Sequence, residues 1–75
     1  MTFSPLDLNL YEQYEIPQGY QAYVLEVENI SAERADEIEM EYQTQGYKIF
    51  HVDMTSKRSQ GYLLKIIMAK NSYTF

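Results

Sequence analysis

An imidazole two residues from a carboxylate is the spacing in this chain that hints most at metal or acid–base chemistry. On a strand, His51 and Asp53 project to one face together with Ile49 and Tyr47. The pair falls short of a site by its own chemistry. Zinc takes three or four protein ligands, and the chain has no second His and no Cys. No Gly-x-Ser-x-Gly elbow surrounds a serine. The three glycines stand too far apart to cradle a phosphate, and Lys48 follows Gly46-Tyr47 without the Gly-Lys-Ser/Thr ending of a P-loop. These residues predict a protein that is not an enzyme and needs no cofactor, with His51 a polar-face or interface histidine.

Binding is written more clearly than catalysis. Glu33, Asp36, Glu37 and Glu41 crowd what reads as the outer side of a helix, with Met40 among them if Ala35, Ile38 and Tyr42 point inward. A Met ringed by carboxylates suits a basic partner, or imitates the charge of a nucleic acid inside a protein that binds one. Lys57 and Arg58 at a hairpin tip can contact a phosphate or a partner's carboxylate. The eight tyrosines offer stacking or interface anchors. Leu6-Asp7-Leu8-Asn9-Leu10 resembles the Leu-x-Leu-x-Leu repression motif of plant transcriptional repressors, which implies docking into a co-repressor groove. That match covers five residues, nothing in the other seventy resembles a plant DNA-binding domain, and the function is not carried over.

A chain of 75 residues without cysteine is one domain with neither disulfides nor thiol chemistry to staple it. The start Met1-Thr2-Phe3-Ser4-Pro5 has no basic stretch, and no apolar run approaches the roughly 18 residues that span a bilayer. The reading is cytoplasmic, with no membrane partner. A formal charge of −5 argues against a broad grip on nucleic acid, whose phosphates demand clustered Lys and Arg. The charge is also segregated: Glu26 to Glu41 holds seven carboxylates and one Arg, whereas Lys48 to Lys70 holds five basic residues and only Asp53. Such asymmetry bears on association.

The elements that must position these groups are punctuated by glycine. Every Gly lies in the tripeptide Gln-Gly-Tyr, at Gly19, Gly46 and Gly61, and each copy opens an apolar run. The pattern predicts strands over 20–28, 47–54 and 62–70, with a helix from Ala32 to about Gln45 capped by Ser31 and stopped at Gly46. Ile30 is placed to staple onto Ala35. The run Leu63-Leu64-Lys65-Ile66-Ile67-Met68-Ala69 is apolar enough to sit mid-sheet. The expected fold is therefore α+β: a β-α-β-β domain over 20–70 with a three-stranded sheet in the order 2-3-1, the third strand central. One helix packs on one face, an extended N-terminal arm spans 1–19 and a tail spans 71–75.

One helix cannot cover two faces, and both look apolar. The N-terminal arm is one possible cover. A second copy is the other, through Tyr47, Ile49, Phe50, Val52, Leu63 and Ile67. The sequence-based expectation is thus a small non-enzymatic protein-binding or regulatory module, a homodimer with a further, basic protein partner. The alternative is a phage or mobile-element inhibitor whose acidic helix engages a nucleic-acid-binding host protein.

Overall fold

The computed structural model describes residues 1–58 and 61–72; Ser59 and Gln60 of the hairpin loop and residues 73–75 of the tail lie outside the described residues. Its elements are β1 (Thr2–Pro5), a 3₁₀ turn (Leu8–Leu10), β2 (Tyr20–Ile30), α1 (Ala32–Thr44), β3 (Lys48–Ser56) and β4 (Tyr62–Asn71). The sheet order is β1-β2-β4-β3 and every neighbouring pair is antiparallel. The apolar β4 is central, between β2 and β3, as expected. The expected count of three strands is corrected to four, because Thr2–Pro5 pairs with β2 from Thr2↔Glu26 to Pro5↔Tyr23. So short a strand, with one large apolar residue and a terminal Pro, carries almost no signal of its own.

Local chemistry explains the helix ends. Ser31 Oγ accepts the Arg34 N–H at 3.1 Å, satisfying a first-turn donor. At the other end the Tyr47 N–H reaches the Tyr42 carbonyl and the Gly46 N–H reaches that of Gln43, each at 3.0 Å, with Gly46 at φ +97°. This is the Schellman pairing that a left-handed Gly permits. The Tyr42 and Tyr47 rings meet edge to face at 5.4 Å, the apolar contact that accompanies the motif.

The helix side of the sheet holds Leu25, Val27, Leu64, Ile66 and Met68 against Ala35 and Ile38. Phe3 of β1 lies between Tyr23 and Tyr42, near-parallel to both, at 5.0 and 5.8 Å.

The opposite side is built differently from the sequence reading. Leu6, Leu10, Tyr11, Tyr14 and Ile16 fold over Ala22, Val24, Phe50, Ile67 and Ala69, so the chain supplies its own cover there. The arm is pinned through Ala22, whose N–H donates to Tyr11 Oη and whose carbonyl accepts the Leu6 N–H, both at 2.9 Å. Beyond this apolar patch the same face is polar: Thr2, Glu26, Lys65 and Asp53 stand side by side across all four strands. Among the described residues, the large bare apolar face implied by alternation is therefore absent. One part lies under the arm and the other carries charge.

The arm is also turned where extension was favoured. Asp7 Oδ1 accepts the Asn9 N–H at 3.1 Å and the Asp7 carbonyl accepts the Leu10 N–H at 2.9 Å. That local side-chain bond competes with extension. Leu6 and Leu10 go inward while Leu8 is left 79% exposed, so the three leucines form no common face.

Candidate functional site

The helix presents the best-formed candidate surface. Ala35 and Ile38 are buried and Tyr42 is half-buried, which fixes the rotation of α1 on the sheet. That rotation leaves Glu33, Asp36, Glu37, Met40 and Glu41 exposed, as the sequence reading placed them. Glu33, Asp36, Glu37 and Met40 follow the i, i+3, i+4, i+7 spacing of a single stripe. Met40 is 66% exposed, far more than most large apolar side chains of this fold. Glu41 lies toward the flank, where Arg34 Nη1 holds its Oε1 at 3.2 Å with both side chains half-exposed. Glu33 and Glu37 are like charges one turn apart, an arrangement that weakens a helix by about 0.2–0.5 kcal/mol in isolation.

The other sequence-predicted residues disperse. Lys57 and Arg58 are exposed at the end of β3, and Arg58 has a positive φ of 56°. The six residues assigned to one self-association face do not share a face. Tyr47 and Ile49 pack on the helix side, and Phe50 and Ile67 lie beneath the N-terminal arm. Leu63 lines an edge cleft of about 310 Å³ with Met1, Thr2, Glu26 and Glu28. Val52 is opposite Ile66 on the helix side.

Alternation already parts Tyr47 and Ile49 from Phe50 and Val52, and a β-bulge then parts Val52 from Phe50. Ile49 pairs with Met68 and His51 with Ile67, leaving Phe50 as an extra residue. Strict alternation would set Ile49 with His51 and Phe50 with Val52. The bulge instead groups Ile49, Val52 and Met54 on the helix side and turns Phe50, His51 and Asp53 to the other. His51 and Asp53 thus keep a common face but part from Tyr47 and Ile49. His51 is exposed, its ring 5.7 Å from that of Tyr14, and Asp53 stands opposite Lys65. Among the described residues no group of three or more His, Cys, Asp or Glu side chains is placed to hold a metal. Among the described residues, no helix is long and apolar enough to cross a membrane.

The structure adds two features that sequence reasoning missed. One is the aromatic cluster of Phe3, Tyr23, Tyr42 and Tyr47, capped by Lys70 Nζ 5.2 Å from the Tyr47 ring centroid. Its rings pack stacked and edge-on against one another at 5.0–6.3 Å. The signal available for it was the alignment of Tyr47 behind the helix stop, but Phe3 could be joined to it only by knowing that β1 pairs with β2. The other is the run His51-Val52-Asp53, three consecutive exposed residues on an outermost strand. No protein-family model, no curated protein and no solved structure matches this chain.

Proposed function

We propose that this chain is a small non-enzymatic module that works by protein contact, docking a basic surface of a partner through the outer stripe of α1 and associating with a second copy of itself. The observation that carries the docking is Met40, left 66% exposed in the same stripe as Glu33, Asp36 and Glu37. Crowded carboxylates repel one another until a cation enters, and a flexible thioether adapts to whatever apolar surface arrives with it. A Lys- or Arg-rich partner surface gains on both counts.

Affinity capture from the native cell tests this reading, run in parallel with wild-type protein and with the Glu33→Lys/Glu37→Lys variant. Capture of a basic protein by the wild type and its loss in the folded variant is the expected result. An unchanged set of captured proteins removes the helix as the docking surface. If nucleic acid competes the captured protein off the wild type, the acidic stripe is acting as a nucleic-acid mimic and the module is an inhibitor.

A further inference from the structure

We propose that self-association runs through the outer edge of β3, which pairs antiparallel with β3 of a second copy about a two-fold axis at Val52. This rests on the self-association reading above and replaces a sheet face by a sheet edge as its contact. β3 is a strand of nine residues bonded on one side to β4 and, among the described residues, bordered by no strand on the other.

The backbone phase can be worked out from one hydrogen bond. The Lys57 N–H donates to the Gly61 carbonyl at 2.8 Å, so residue 57 faces β4. Backbone groups alternate along an antiparallel strand, and the register from Val52↔Ile66 to Ser56↔Tyr62 is unbroken. Val52, Met54 and Ser56 therefore turn their N–H and C=O groups outward, where a second strand can take them up.

Side chains choose the register. With Val52 on the axis, Val52 meets its own copy on the helix side; at 38% exposure it is among the more exposed large apolar residues of the fold. On the other face His51 then lies opposite Asp53 of the copy, and Asp53 opposite His51. An imidazole N–H faces a carboxylate twice by symmetry. Shifting the axis to Asp53 sets two carboxylates directly opposite each other, which is unfavourable. Shifting it to Met54 sets Val52 opposite Ser56 and His51 opposite Lys57, losing the apolar pair and both imidazole–carboxylate pairs. Shifting it to Thr55 matches Asp53 with Lys57 but places Val52 opposite Arg58. The bulge at Phe50 ends the regular pairing on each side, so the contact is short and the dimer dissociates on dilution. Both helices stay on one side of a continuous eight-stranded sheet, and their acidic stripes remain free.

The chain has no cysteine, so Val52→Cys introduces a single thiol whose disulfide reports only its own copy. A hydrogen-bonded antiparallel pair separates Cα atoms by about 5.5 Å, inside the roughly 4.4–6.8 Å that a disulfide spans. Mild oxidation of Val52→Cys should give a covalent dimer at least about tenfold faster than Met40→Cys, because the paired thiols sit at high effective concentration. In parallel, sedimentation should give a dimer mass for the wild type and a monomer mass for Val52→Lys, a change at an exposed edge position that leaves the core untouched. A wild-type dimer whose Val52→Cys variant links no faster than Met40→Cys overturns the edge while self-association stands. A wild type that is monomeric at about 1 mM removes both.

Discussion

Single residues decide where this chain turns, and two of its glycines are under different constraint. A Cβ on Gly61 would lie 2.9 Å from the Ile30 carbonyl oxygen with φ at +78°, whereas on Gly46 it would meet only the end of Lys70, at 3.6 Å. Gly46→Ala should cost about 1 kcal/mol of conformational strain, and Gly61→Ala distinctly more, since backbone cannot yield as a side-chain end does. Equal urea midpoints for the two variants would contradict this account of the β4 start. Ser31→Ala should cost about 1 kcal/mol in the same assay by freeing the Arg34 N–H, and no change would mean that the cap contributes nothing. These positions were legible in the sequence, because Gln-Gly-Tyr and Ser-before-helix are local signals. The crowding at Gly61 was not, since Ile30 comes near only after β2 and β4 have paired.

At the scale of elements, local and non-local information part company. α1 and the three long strands followed from periodicity, cap and turn chemistry, each within a residue or two of its ends. β1 and the bulge did not. The first forms because β2 offers an edge and Tyr23 and Tyr42 offer rings for Phe3. The second shifts one residue within a strand whose alternation looks perfect on paper. The arm is the clearest case, for its alternating leucines suggest extension while Asp7 bends the chain. The account predicts unequal leucines. Leu6→Ala should destabilise by about 2–3 kcal/mol, as for a buried side chain, and Leu8→Ala should stay within about 0.5 kcal/mol, as for a surface one. Chemical denaturation of the two variants measures the difference, and equal losses would point to an arm that lies extended on the sheet.

For the molecule as a whole, one sheet is covered on the helix side by α1 and over part of its second side by the arm, with a charged row closing the remainder. Among the groups that the described residues leave outward are an acidic stripe on the helix and the edge of β3. The candidate stripe was legible because α1 was, its spacing fixing which carboxylates stand beside Met40. Among the self-association residues, alternation already parts Tyr47 and Ile49 from Phe50 and Val52, whereas the parting of Val52 from Phe50 depends on the bulge and was not legible. Glu37→Lys separates stability from function within the stripe. It turns a like-charge pair into an opposite-charge pair with Glu33 on the N-terminal side, the favourable order, and should raise stability by about 0.3–0.5 kcal/mol while weakening partner binding. The most direct test of the account is the affinity of the captured partner, titrated against wild type, Glu37→Lys and Arg58→Glu. The account predicts a loss of about tenfold or more for Glu37→Lys and no loss for Arg58→Glu. Equal affinity for wild type and Glu37→Lys would contradict it.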